Sequence, residues 1–212
     1  MTRTPHGAID PALERDLAAL ALPGLLIGHR VIQPGDELAL LDEEAESIAS
    51  TRPAVRRASG AARIVARELL AQLGYPGFPV RKTASGAPVW PADVVGSLAH
   101  DDEIAVAAVA LRRDVGAVGI DIEPAAMLPH DMLDLIATPA ERRTIGDEPL
   151  RGRLLFAAKE AVYKAAYPLD GVFLEFRDIA VDLAARKATT STGRVMALRT
   201  CVSSHVVVLA VA

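Results

Sequence analysis

Cysteine is nearly absent from this chain. Cys201 stands alone, so no internal disulfide can form and no cysteine cage can hold zinc. Its neighbours Val202, Val206, Val207 and Val208 point to a buried strand thiol rather than a reactive one. Aromatic residues make up only 4% of the 212, which leaves no run of rings interleaved with basic side chains for nucleic-acid bases to stack on. Positive charge is not in excess either: 23 Lys and Arg stand against 27 Asp and Glu, a formal net charge of −4. That balance argues against a protein that coats nucleic acid. No apolar run approaches the roughly 20 residues a membrane-spanning helix needs. The opening stretch MTRTPHGAID lacks the apolar segment of an export leader. A cytoplasmic protein, off the membrane, is therefore expected.

What the chain does have is core-forming material. Hydrophobic residues reach 51%, enough for one substantial domain or two small ones sharing a core. Two segments share one order, a histidine followed by an apolar run: SLAHDDEIAVAAVAL (97–111) and SSHVVVLAVA (203–212). An alanine-rich helical pattern precedes each, over 59–74 and 153–169, and an acidic helix start precedes each of those, over 40–49 and 136–145. In the second start, Thr138 is placed to cap, Pro139 sits at the first helical position and Glu141 completes a capping box. Recurrence at roughly 95–105 residues reads as duplication. The expected fold is α+β: two similar fused α/β halves, 1–114 and 115–212, each an antiparallel sheet with a long packed helix. The active site is expected in the cleft between them.

The second half opens on VGIDIEP (118–124). Residues two apart on a strand share a face, so Asp121 and Glu123 project together and repel unless a cation lies near. Further on, FAAKEAVYKAA (156–166) puts Glu160 and Lys164 on one helical face, with Phe156 a turn earlier and Lys159 rotated by about 100°. Each pattern alone is ordinary surface chemistry. Three carboxylates with lysines beside them make an oxygen-donor site suited to Mg²⁺ and phosphate.

Together with GAPVWPADVVGSLAH (86–100), these stretches resemble the ordered signature of the 4′-phosphopantetheinyl transferases. The two-half branch that includes the enterobactin-synthase-associated enzymes is the nearest likeness. The resemblance implies transfer of the phosphopantetheine arm of coenzyme A to a serine of an apo acyl or peptidyl carrier protein, releasing 3′,5′-ADP. It implies Asp121, Glu123 and Glu160 as ligands of Mg²⁺, with Mn²⁺ as a substitute, and Glu160, Lys159 and Lys164 as catalytic residues. The two lysines also fall among the coenzyme A contacts, with Arg56, Arg63, Arg81, Lys82, Ser97 and His100, the last on the 3′-phosphate. Ala99, Ser85 and Phe156 depart from the pattern, the first two where phosphate donors are usual. Fused halves imply a monomer. The alternatives are another Mg²⁺-dependent phosphoryl-transfer enzyme, or a non-catalytic module that binds carrier proteins. Segment 127–136 with Arg142, Arg143, Arg151 and Arg153 is the expected carrier-docking face.

Overall fold

A computed structural model describes residues 9–146 and 148–212; most of the opening stretch behind the cytoplasmic expectation lies outside them. The first half runs α1 (Pro11–Ala18), β1 (Leu25–Val31), a 3₁₀ turn (Asp36–Ala39), α2 (Asp42–Ser47), α3 (Pro53–Gln72), β2 (Val94–His100) and β3 (Ile104–Leu111). The second runs β4 (Val118–Pro124), α4 (His130–Ile136), α5 (Pro139–Ile145), α6 (Arg151–Asp170), β5 (Ile179–Asp182), β6 (Lys187–Thr190), β7 (Val195–Val202) and β8 (His205–Val211). Among the described residues, no helix is long and apolar enough to cross a membrane.

Both sheets are antiparallel, and the duplication is visible in their order. The first is β1-β3-β2, and the second begins β4-β8-β7 before adding β6 and β5. Gly28 faces Ala107 in the first half as Gly119 faces Ala210 in the second. Each half carries a 20-residue helix, α3 or α6, on its sheet. The expected α+β fold of two similar halves is what forms. The helix starts follow from local chemistry. Thr138 caps α5 by accepting from Glu141 N–H, Glu141 reaches back to Thr138 N–H, and Pro139 fills the first turn, where its missing N–H costs nothing. Pro53 opens α3 in the same way, so that helix begins earlier than the alanine pattern suggests.

Strand β4 lies directly on α6, and two features of the sequence allow it. The helix face is alanine (Ala157, Ala158, Ala161 and Ala165 are buried), and Gly119 has no side chain. A Cβ at Gly119 would sit 1.9 Å from the carbonyl oxygen of Ala161. Any other residue there pushes the strand away from the helix. The opposite face of β4 (Val118, Ile120, Ile122) joins Leu13, Leu17, Val95 and Ile104 in a core shared by both halves. At the seam, Ser97 Oγ in β2 accepts from Ile120 N–H in β4 at 3.0 Å.

Candidate functional site

Because Val118, Ile120 and Ile122 face the shared core, Asp121 and Glu123 face α6. Asp121 is 5% exposed. Its Oδ1 accepts from Lys164 Nζ at 2.7 Å, while Oδ2 is buried with no hydrogen-bond partner among the described residues. Burial pushes the Asp121 carboxyl above its ordinary range, and the Lys164 ammonium offsets this only in part. Glu123 accepts from Arg153 Nη1 at 2.7 Å. Burial, and then the Asp121 charge, raise it against the pull of Arg153. Glu160, half-buried on α6, is raised by burial and by Asp121, with Lys164 opposing. Glu123 and Glu160 thus both sense Asp121, and Lys164 and Arg153 compensate the three carboxylates only in part.

Among the described residues, no three acidic, histidine or cysteine side chains already surround a point closely enough to hold a metal ion. A hard divalent cation nonetheless fits the donor set. It accepts a partial protein shell completed by water and phosphate, and the orphaned Asp121 Oδ2 is an oxygen without any other use.

Across the seam, His100 ends β2 with its ring exposed and Nδ1 at 3.3 Å from the Asp101 carbonyl. Crowding by protein lowers its pKa first, and the Lys164 and Lys82 ammoniums lower it further. Both ammoniums therefore act on the imidazole, a setting that favours an anion beside it. Arg56 is half-buried, and Arg81 and Lys82 are exposed. None of the three has an ion-pair partner among the described residues. Ser85 closes the neighbouring turn through Thr83 Oγ1 at 2.9 Å.

Four expected contacts are placed elsewhere. Lys159 is fully buried, and Nζ donates to Ile136 O, Glu141 Oε2 and Phe176 O, each at 2.8 Å. All three protons are engaged, so this lysine braces the α6 scaffold, and it also lines the cleft beside Glu160. Burial alone would raise Glu141, but donors from Lys159, Thr138 N and Val181 N hold it below its usual range, while burial lowers Lys159 against the pull of Glu141. Arg63 is buried as well, donating to Val80 O (2.8 Å) and Ser59 O (3.2 Å); it anchors the segment leading to Arg81 and Lys82. Ser97 is buried in the seam. Arg153, read as part of a docking face, belongs to Glu123 and also donates to Ala126 O and Met127 O.

Sequence reasoning missed Glu141 as the partner of Lys159 and Arg153 as the partner of Glu123. The first had a signal, since Glu44 occupies the matching acidic helix start in the other half. Cys201 lies on a strand as expected but is only partly buried; burial still lifts its thiol to about 11, far from a thiolate at neutral pH.

Beside Glu160 opens an apolar cleft of about 580 Å³, lined by Leu135, Tyr163, Phe173, Leu174 and Phe176. Phe156, where the resemblance has tryptophan in many relatives, stacks tilted on Phe176 with centroids 5.6 Å apart. Leu135 and Phe173 of this cleft are 58% and 72% exposed, and Met127, ahead of α4, is 64% exposed.

Comparison with known proteins gives these groups a context. The 4′-phosphopantetheinyl transferase N-terminal domain model matches residues 43–110, and the 4′-phosphopantetheinyl transferase superfamily model matches residues 117–210. The chain is 37% identical over 175 residues to 4′-phosphopantetheinyl transferase Npt of Nocardia iowensis, covering 81% of this chain and 79% of that one. It is 42% identical over 160 residues to PptT of Mycobacterium tuberculosis, covering 74% and 69%. The match to Svp of Streptomyces mobaraensis is 40% identical over 158 residues and spans 70% of this chain and 64% of the relative. With both halves matched in order, the chain belongs to the 4′-phosphopantetheinyl transferases, a family that moves the phosphopantetheine arm of coenzyme A onto carrier proteins.

Proposed function

We propose that the seam between the halves is a magnesium-dependent transferase site for coenzyme A and an apo acyl or peptidyl carrier protein. One observation carries the reading. The unpartnered Oδ2 of Asp121 lies in a group of carboxylates directly beside Lys164, and His100 in turn senses the Lys164 and Lys82 ammoniums. An oxygen-donor corner next to a cationic corner suits a pyrophosphate with a further phosphate at its nucleotide end.

Asp121, Glu123 and Glu160 would hold the cation, Glu123 turning from Arg153 to do so. When bound, that ion would supply Lewis-acid stabilisation of the charge that develops on the departing phosphate. Lys164 adds fixed positive charge at the same oxygens. His100, Arg56, Arg81 and Lys82 receive the nucleotide end, with His100 on the 3′-phosphate. The pantetheine arm extends from the pyrophosphate into the apolar cleft beside Glu160. The carrier serine oxygen bonds to the phosphorus that bears the arm, and the bridging P–O bond breaks. The departing product is 3′,5′-ADP. Glu160, whose proton affinity burial has raised, accepts the serine proton. The exposed Met127, Leu135 and Phe173, with Arg142 and Arg143 nearby in sequence, form the surface for the carrier protein.

Two joined halves supply both sides of the seam, which supports a monomer working in the cytoplasm, where coenzyme A and carrier proteins meet. The test is a panel of apo carrier proteins incubated with coenzyme A and Mg²⁺, read as the phosphopantetheine mass increment. Modification that depends on the divalent ion is expected. Retention on immobilised coenzyme A with no increment on any carrier would favour the non-catalytic module instead.

A further inference from the structure

The residue after His100 is Asp101, and the transfer chemistry gives it no role. Its carboxylate is nonetheless well bonded. Oδ1 accepts from the backbone N–H groups of Glu103 (2.8 Å) and Ile104 (2.7 Å), closing the turn between β2 and β3. Oδ2 lies 3.0 Å from Nε2 of His205, and the two side chains are only 9% and 8% exposed. His205 opens β8 in the other half, and Ser204 Oγ lies 3.1 Å from its Nδ1. Opposite His205 in the strand ladder is Pro124, and the next pairs are Glu123 with Val206 and Asp121 with Val208. The Asp101 carbonyl is itself the partner of His100 Nδ1. One residue is therefore bonded to the turn that carries His100 and to the strand pair that carries the acidic corner.

We propose that Asp101 and His205 are positioning residues. They form a clasp across the seam that sets the separation between the His100 imidazole and the Asp121–Glu123 carboxylates. The inference rests on the reading above, in which those two corners receive opposite ends of one ligand. The physical need is specific. The core shared by the halves is apolar, and apolar contact has no direction, so it leaves two edge strands free to shift along each other. Ser97 ties the middle of β2 to Ile120, beside Asp121, but His100 and Glu123 lie toward the strand ends. A hydrogen bond between two nearly dry polar side chains has a fixed length and is strengthened by its surroundings. Coenzyme A spans its 3′-phosphate and pyrophosphate by a ribose of fixed size. A small shift of one corner against the other therefore disengages one end of the ligand.

The test uses the full chain, Mg²⁺, and calorimetric titration with coenzyme A and with dephospho-coenzyme A, which lacks the 3′-phosphate. His205→Leu removes the partner of Oδ2 and keeps apolar bulk in the seam. His205→Gln offers an amide N–H in its place. Asp101→Ser retains an oxygen that can close the turn but cannot reach His205. The native chain should prefer coenzyme A. His205→Leu and Asp101→Ser should narrow that preference by roughly five- to tenfold, chiefly by weakening coenzyme A, and His205→Gln should restore most of it. Two substitutions on opposite sides of the seam keep the test decisive if one fails to fold. A folded variant that melts lower yet keeps the full preference would overturn the clasp and leave a purely structural pair. A native chain that binds both ligands alike would remove His100 from the 3′-phosphate, and the clasp would fall with it.

Discussion

The two halves carry opposite charges at matched places. Two residues beyond the matched glycines, β1 has Arg30 and β4 has Asp121. Arg30 is satisfied within its own half: Nη2 donates to Asp36 Oδ1 at 2.7 Å, and Nε lies 3.2 and 3.1 Å from the two carboxylate oxygens. Asp121 has a lysine on one oxygen and nothing on the other. The scaffolding beneath is alike. Glu44 accepts from its own N-cap Leu41 N, from Arg67 Nη1 and from Val80 N, and Arg67 also donates to Ala39 O. Glu141 accepts from its N-cap Thr138 N, from Lys159 Nζ and from Val181 N, and Lys159 also donates to Ile136 O. Ala39 and Ile136, like Glu44 and Glu141, are separated by the same number of residues. At these matched places the duplicated frame has closed the charge in one half and left a carboxylate oxygen open in the other. The open one is where a ligand can act.

The largest expected effect comes from closing the open half. Asp121→Asn and Glu160→Gln keep size and remove charge, so transfer to a carrier protein should fall on the order of 10³-fold, comparable to removing a main charge-stabilising group. Residual activity should require much more Mg²⁺ or Mn²⁺, measured by titrating the ion in the mass-increment assay. A variant with native activity at the native ion requirement would exclude that carboxylate from the site.

The twin scaffolds permit a sharper comparison. Glu44→Gln and Glu141→Gln each break an ion pair made by a buried carboxylate. In denaturant unfolding the cost should be about 3–5 kcal/mol where the fully buried Lys159 loses its partner, and smaller at the partly exposed Arg67. Their functional consequences should differ. Glu44 and Arg63 hold Val80, just ahead of Arg81 and Lys82, so its loss should raise the KM for coenzyme A. Glu141 holds Lys159, the residue before Glu160, so its loss should lower kcat. Identical kinetic profiles in the two variants would break the assignment of nucleotide and chemistry to separate halves.

Next in size is His100→Ala, which should weaken coenzyme A by roughly 10- to 100-fold and leave dephospho-coenzyme A nearly unchanged, as expected for one lost hydrogen bond to a charged group. Equal weakening of both ligands would place the 3′-phosphate elsewhere.

Much of this architecture is legible in the sequence because it rests on local rules. Alternation in VGIDIEP fixes which face Asp121 takes, Thr138 and Pro139 start α5, and alanine spacing marks both long helices. The misplaced residues share a different property: their partners are remote in the chain. Lys159 is captured from 136, 141 and 176, and a rotation of about 100° from Glu160 does not reveal which neighbours wait there. Arg153 looks like a solvated charge near a helix start until β4 brings Glu123 to it. Ser97 sits in a phosphate-binding motif, yet the neighbouring edge strand claims its hydroxyl. Asp101 and His205 carried no motif, since their pairing exists only once the halves meet.

The smallest effect tests the open charge itself, with the ion left out. Burial raises the Asp121 carboxyl above its unfolded value. Such a group binds its proton more tightly in the folded chain, so its contribution to stability grows as pH falls from neutral into the carboxylate range and is lost as pH rises through the folded pKa. Asparagine has no such dependence, and its carbonyl oxygen can still accept from Lys164. Without divalent ions, Asp121→Asn should therefore melt above the native chain at neutral pH, by about 2–4 °C, and the gap should close as pH falls. Adding Mg²⁺ should reverse the order, because the ion stabilises only the chain that binds it. In the other half, Asp36→Asn, at the partner of the matched Arg30, breaks a satisfied buried pair and should melt lower with or without the ion. If Asp121→Asn also melts lower at neutral pH without metal, the Lys164 bond outweighs burial. Asp121 would then be a closed structural pair like Arg30 and Asp36, and the contrast between the halves would disappear.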